Sequence, residues 1–307
     1  MSRLLEGLLR LLATVPLPVL YALGGVLGWL AARVPNRARQ VTAVNLSLCF
    51  PEMPSPQRRR LMRRSLQETA RGLLELGPLW YRPPEAVGAL VRETVDEHLF
   101  DQALSRGQGI LWLAPHLGAW EVTPAYCMQR IQLNALYRPP RQPALEPLIT
   151  GARERCGARL VPATAAGVRQ LLRALRRGEA VGILPDQQPA GEGVFAPFFG
   201  TPAKTMTLLP RLAGRTEATV LTAFAERLPR GRGYRLHFQA VEPGVASPDP
   251  DVAAGALNRA VEAAVRVAPE QYQWSYRRFS RRPHGGPSPY GKSLRARLRQ
   301  FRRRRLA

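Results

Sequence analysis

The sequence predicts an α/β fold, a mixed and mostly parallel sheet flanked by helices, preceded by an N-terminal membrane helix. Two observations carry the sheet. Short apolar runs, GILWLA at 109–114, LNALY at 133–137, AVGILP at 180–185, TVLTAFA at 219–225 and YRLHFQ at 234–239, recur through the chain, and helical stretches such as 165–177 and 251–267 lie between them. Runs this short and this apolar suit strands covered on both faces, and alternation with helices favours parallel pairing. A third observation carries the membrane helix. From Leu11 to Ala32 the chain has 22 residues without a charge, about 33 Å if helical and enough to cross a bilayer core.

In chain order, the apolar segment comes first, and Pro16 and Pro18 weaken it as a straight helix. A kinked span and a helix lying in the interface both remain open. A cleaved signal peptide is a further reading, with Arg3 and Arg10 as its basic start. Against it stand the length of the run and the basic flank that follows, Arg33, Arg37, Arg39 and then RRRLMRR at 58–64. Such a flank resists translocation and keeps the body of the protein in the cytoplasm. A turn at Pro51 to Pro56 precedes an amphipathic helix with Leu61, Leu66, Leu73 and Leu76 among its apolar positions.

The formal net charge of +23, from 45 Lys and Arg against 22 Asp and Glu, points to an anionic partner. Nucleic acid and an anionic lipid surface both qualify, and the uncharged segment decides for lipid. From Arg277 the chain carries twelve basic residues and no acidic one, as a solvated tail or a helix on an anionic surface would. Cys49, Cys127 and Cys156 stand far apart with no CxxC pair, and the histidines at 98, 116, 237 and 284 are scattered. Neither a disulfide framework nor a zinc site is expected, as suits a reducing compartment.

Chemistry gathers at HLGAWE, residues 116–121. Residues five apart on a helix diverge by about 140°, so His116 and Glu121 cannot share a helical face. They can meet if GILWLA is a strand, Pro115 ends it and the helix starts only after His116. His116 then sits at the carboxyl end of a strand, where open α/β sheets place their ligands, and Glu121 near a helix start, where a carboxylate is favoured. The residues alone leave open a satisfied loop histidine and an ordinary first-turn glutamate.

Further segments fall in a fixed order around this one: NLSLCFPE at 45–52, YRPP at 137–140, RCG at 155–157, LPDQ at 184–187, VFAPFFGTPAKT at 194–205 and PEQYQWSYRRF at 269–279. Together with HLGAWE they resemble the bacterial lipid A late acyltransferases, the lauroyl and myristoyl transferase family within the lysophospholipid acyltransferase superfamily. The resemblance covers nearly the whole chain and implies a glycerol-3-phosphate acyltransferase-like fold. It implies transfer of a fatty acyl group from an acyl carrier protein thioester to a hydroxyl of a lipid A precursor, with no metal, no cofactor and no stored acyl-enzyme. The division that follows is a membrane anchor at 1–40, a catalytic domain at 41–280 and a basic tail at 281–307. The location implied is the bacterial inner membrane, with the catalytic domain on its cytoplasmic side. The partners expected are the carrier protein, a lipid A precursor or related anionic lipid and the membrane, with no nucleic acid.

In that frame His116 is the general base and Glu121 the group that holds its imidazole. Arg138 matches the family's strand-end arginine and is assigned to an acceptor phosphate or the developing oxyanion, with a surface ion pair as the alternative. Asp186 faces the same sheet edge as His116 and could order Arg138 or a substrate amide, or simply form a turn. Arg155 and Lys204 join the substrate-binding set, with a helix-end structural arginine as the favoured reading of the first and an exposed lysine as the default for the second. Phe198, Phe199 and Gly200 suit an apolar wall or a tight loop, and Trp112, Trp120 and Trp274 suit core or interface packing. Tyr276 and Ser280 depart from the family pattern, which has histidine and lysine there. Another glycolipid or a lysophospholipid as acceptor, with acyl-CoA as donor, is the alternative reading.

Overall fold

The protein is described by a computed structural model covering residues 2–140 and 142–291. The basic run at 302–305 and most of the tail lie outside the described residues. Six helices come first: α1 (Ser2–Thr14), α2 (Leu17–Ala31), α3 (Arg37–Cys49), α4 (Ser55–Leu74), α5 (Leu76–Tyr81) and α6 (Pro84–Gly88). Strand β1 (Val91–Val95), α7 (Glu97–Arg106), β2 (Ile110–Leu113), α8 (Val122–Cys127), β3 (Leu133–Tyr137), α9 (Glu146–Arg155), β4 (Arg159–Pro162), α10 (Ala165–Arg176) and β5 (Ala180–Ile183) follow. A hairpin of β6 (Val194–Phe198) and β7 (Thr201–Thr205) leads to α11 (Leu208–Ala213), β8 (Thr219–Arg227), β9 (Tyr234–Ala240) and α12 (Pro250–Val267).

Seven strands form one sheet in the order β1-β9-β8-β2-β5-β3-β4. Every pairing is parallel except that of β8 with β9. The mixed, mostly parallel sheet expected from the apolar runs is therefore present, and β2, β5 and β8 lie at its centre. Their side chains alternate between two apolar layers, as the pleat requires. Leu111, Leu113, Val181, Ile183 and Phe224 face the core under α3, α10, α11 and α12. Ile110, Trp112, Ala180, Ala223 and Ala225 face the opposite core, which includes Leu17, Leu20 and Tyr21 of α2 and Phe100 of α7.

The amino end differs from expectation. The uncharged run is not one span: Pro16 takes an extended conformation (φ −61°, ψ 141°) and separates α1 from α2. Proline at 16 lacks the N–H that a continuing helix needs, and Pro18 then occupies the first turn of α2, where that loss is harmless. Helix α2 has 15 residues, about 22 Å, and no helix among the described residues is long and apolar enough to cross a membrane. The expected membrane-spanning helix is corrected accordingly.

Both segments pack onto the body of the protein. Helix α2 runs antiparallel to α4, with Gly24 against Arg71 and Gly28 against the Gln67 backbone, so closely that a Cβ on Gly28 would overlap the Gln67 Cα. One stripe of each segment is left uncovered: Leu4, Leu8 and Leu11 on α1, and Val19, Leu23, Val26, Leu27 and Leu30 on α2. Leu73, expected on the apolar face of α4, is exposed, whereas Leu66 is buried. Gly28→Leu is expected to lower stability by about 1–3 kcal/mol, the usual cost of overpacking. A thermal melt unchanged from that of the parent would mean that the α2–α4 seam is not close-packed in solution.

Candidate active site

Strand β2 and strand β5 end alike. Leu113-Ala114-Pro115-His116 follows one course and Ile183-Leu184-Pro185-Asp186 the other, and the parallel register sets Leu113 opposite Ile183. The Ala114 N–H still bonds the Ile183 carbonyl (3.0 Å), after which each proline stops its strand. His116 and Asp186, each three residues past a matched pair on adjacent strands about 4.8 Å apart, therefore emerge side by side. Asp186 Oδ1 lies 2.8 Å from His116 Nδ1, and its Oδ2 accepts the His116 backbone N–H at 3.0 Å. The carboxylate is buried, with 2% of its side chain exposed, while the imidazole retains 16%. His116 Nε2 makes no hydrogen bond within the described residues, and Trp120 packs edge-on at 5.3 Å between ring centroids.

Burial alone would raise the Asp186 pKa, but the charge and hydrogen bonds of His116 outweigh it and hold the carboxyl below the usual carboxylate range. Tyr272 lies beside it, and its phenol is pushed well above the usual value by burial first and by the Asp186 charge second. Arg278, 3% exposed, stands behind the pair. It donates to the Lys204 carbonyl and to Thr205 Oγ1 (3.1 Å) and lies over the Phe198 ring. Burial lowers its pKa, opposed by Tyr272 and Asp186, and arginine remains cationic throughout the working range.

Glu121 stands elsewhere. Gly118 takes a left-handed turn (φ 59°) that only glycine fits here, since a Cβ would overlap the Ala225 carbonyl. The turn leads to Glu121 immediately before α8, and its carboxylate receives a fork from Arg153 of α9, Nη2 at 2.8 Å and Nε at 3.4 Å. Burial opposes the Arg153 charge, but Glu121 raises its pKa above the ordinary value. The expectation that Glu121 holds the imidazole is thus corrected: strand register supplies Asp186 to Nδ1, and Glu121 has a bidentate partner of its own.

A histidine with Nδ1 fixed by a buried carboxylate and Nε2 open is built to take a proton from a hydroxyl. Residues 3–281 match the family model of the bacterial lipid A biosynthesis acyltransferases. The chain belongs to this family and is an acyltransferase. It is 33% identical over 290 residues to the lipid A biosynthesis lauroyltransferase of Escherichia coli strain K12, covering 92% of each chain. It is 30% identical to the palmitoleoyltransferase of the same strain over 292 residues, again 92% of each. With the myristoyltransferase of that strain the identity is 27% over 269 residues, 86% of this chain and 82% of the other.

Of the other residues singled out in the acyltransferase sequence, Arg138 is exposed at the end of β3 and forms no ion pair among the described residues. Asp186 does not order it. Lys204 Nζ donates to the Gly191 carbonyl (2.7 Å), tying β7 to the loop between β5 and β6. Arg155 donates to the Trp80 carbonyl (2.9 Å) and lies over the Tyr81 ring, tying α9 to α5. Neither Arg155 nor Lys204 makes a hydrogen bond to His116, Asp186 or Glu121. Trp112 and Trp274 are buried in the two cores. Sequence reasoning missed Arg153, Tyr272 and Arg278. The signal for Arg153 was faint, a basic residue in a helix's last turn, whereas the other two lay in plain view within PEQYQWSYRRF.

The lowered pKa of Asp186 has a pH consequence. Its contribution to stability is fully present above the unfolded value of about 3.9 and is lost as pH falls through the lower folded value. Asp186→Asn is expected to flatten this part of the acid limb in thermal melts between about pH 2 and pH 5. An acid limb of unchanged slope would show that the pair does not exist in solution.

Proposed function

We propose that this acyltransferase moves a fatty acyl group from the thioester of an acyl carrier protein to a hydroxyl of a lipid A precursor. The observation that carries the mechanism is the His116–Asp186 contact of 2.8 Å. Asp186 fixes the tautomer with its proton on Nδ1, so that Nε2 accepts the hydroxyl proton as oxygen attacks the thioester carbonyl. The imidazolium formed is stabilised by the buried carboxylate beside it. The nucleophile belongs to the acceptor, and the thiolate leaving group takes up the proton that His116 holds. Glu121 acts at one remove by holding Arg153. Arg153 and the exposed Arg138 are the guanidinium groups assigned to an acceptor phosphate or the developing oxyanion.

His116→Ala is expected to cost about 100-fold to 10,000-fold in turnover per folded enzyme, in protein of native circular dichroism whose melting temperature falls because Asp186 is left buried without its partner. Purified variant enzyme assayed with acyl carrier protein thioester and lipid A precursor decides this, and parental turnover would remove the mechanism. Glu121→Gln is expected to act mainly on the KM for a phosphorylated acceptor, because the amide holds Arg153 less firmly.

Membrane attachment in this reading is in-plane. The uncovered stripes of α1 and α2, with Trp29 of α2, are apolar surface of the kind that marks a membrane or protein contact. Exposed Arg33, Arg37, Arg59, Arg60, Arg63 and Arg64 lie toward the α2 carboxyl end and the facing part of α4, placed to meet anionic headgroups. Such a basic flank favours the cytoplasmic face of the inner membrane. The double variant Val26→Asp with Leu30→Asp is expected to leave the protein unbound in flotation with anionic vesicles, while retaining its fold by circular dichroism. Undiminished flotation would place the attachment on another surface.

A further inference from the structure

The loop that carries His116 is held from behind by a buried arginine that the transfer mechanism does not use. Arg227, the last residue of β8, is 5% exposed. Its Nη2 donates to the Gly118 carbonyl at 2.9 Å, and Nε and Nη2 donate to Glu75 Oε1 at 2.9 and 2.6 Å. Glu75, 1% exposed between α4 and α5, accepts on its other oxygen from Tyr21 of α2 (2.6 Å) and Tyr234 of β9 (3.1 Å). Glu68 of α4 lies 3.7 Å from Arg227 Nη1.

The backbone around Arg227 is fixed as tightly. Its N–H donates to Gln271 Oε1 (2.8 Å), and Gln271 Nε2 donates to its carbonyl (3.1 Å). The Gln271 carbonyl accepts the Gly118 N–H (3.2 Å), and the Ala225 carbonyl accepts the Ala119 N–H (2.8 Å). Both polar backbone groups of Gly118, two residues beyond His116, are therefore bound by this assembly. The Gln273 N–H holds the His116 carbonyl itself (3.0 Å).

A buried ion pair is a poor source of net stability, because desolvation offsets most of the attraction. Its geometry is another matter, since the planar fork of arginine addresses Glu75 and the Gly118 carbonyl in fixed directions, which the point charge of a lysine ammonium does not reproduce. We infer that Arg227 is a positioning residue of the transfer reaction: by clamping the Gly118 carbonyl, with Glu75 and Tyr21 orienting the clamp, it sets the loop that aims His116 Nε2. The inference rests on the reading of His116 as the base. Because Tyr21 belongs to α2, the clamp also joins the proposed membrane-facing helix to the catalytic loop in three hydrogen-bonded steps, through Glu75 and Arg227.

Arg227→Lys and Tyr21→Phe in the full-length enzyme test the clamp by kinetics and by the ¹⁵N resonances of the His116 ring. Misplacement of about 1 Å can cost on the order of 100-fold in rate, so Arg227→Lys is expected to lower kcat about 10-fold or more with KM changed less than about 3-fold. Tyr21→Phe is expected to lower kcat less, in protein of native circular dichroism, and both variants are expected to shift the His116 resonances. A purely architectural Arg227 would lower the melting temperature and leave both kcat per folded enzyme and the His116 resonances at their parental values, which overturns the inference. Should Arg227→Lys fail to fold, Tyr21→Phe decides alone by the same two readouts. The ring resonances report the clamp even if His116→Ala retains activity, so failure of the base reading and failure of the clamp are told apart.

Discussion

The parallel register that sets Leu113 opposite Ile183 is the constraint on which the site depends. Neither His116 nor Asp186 is placed by a loop of its own choosing. Each is carried out of the centre of the sheet by a strand whose four residues are all buried, and each strand is cut short by proline at the same distance. The backbone N–H of His116 bonds the same carboxylate as its ring, so the imidazole has little freedom to turn away. A slip of the register by one residue would exchange the two faces of β2 and carry its apolar side chains out of their cores. The geometry of His116 is thus tied to the burial of Leu111, Trp112 and Ile183.

Charge around the site is arranged in two layers. The buried Asp186 is balanced by His116 when the imidazole is protonated, with Arg278 behind and Tyr272 alongside. Glu121 and Arg153 form a separate, partly exposed pair. In the proposed mechanism the first layer governs the proton, and the second supplies a guanidinium for the acceptor or the oxyanion. Breaking a buried pair by deleting one partner typically costs about 3–5 kcal/mol, which bears on Arg227 and Glu75 far more than on the exposed arginines of α4.

The sheet was legible because buried parallel strands are written as near-continuous apolar runs, and helices α10 and α12 fall close to the segments read from their pattern. The short β1 and β4 and the β6–β7 hairpin were not read from it: β1 is largely exposed, and the hairpin is held partly by Asn258 of α12, a long-range contact. His116 could be set at a strand end from Pro115 alone. Its partner could not, because the choice between Glu121 and Asp186 turns on strand order, and strand order is a property of the whole fold. The amino end shows the opposite fault. Hydropathy averages over Pro16, while the backbone does not, so an uncharged run long enough to span a bilayer folds as two shorter helices.

That break bears on how the enzyme meets its acceptor. In the proposed attachment α1 and α2 would lie in the surface of one leaflet, the protein would sample a two-dimensional fluid, and a lipid acceptor would reach it by lateral diffusion while keeping its existing chains among the lipid tails. The operative concentration is then the mole fraction of acceptor in the leaflet. Diluting the membrane with inert lipid would slow transfer at fixed bulk concentration, and the acceptor's own chains would not need to pass through water on the way to His116.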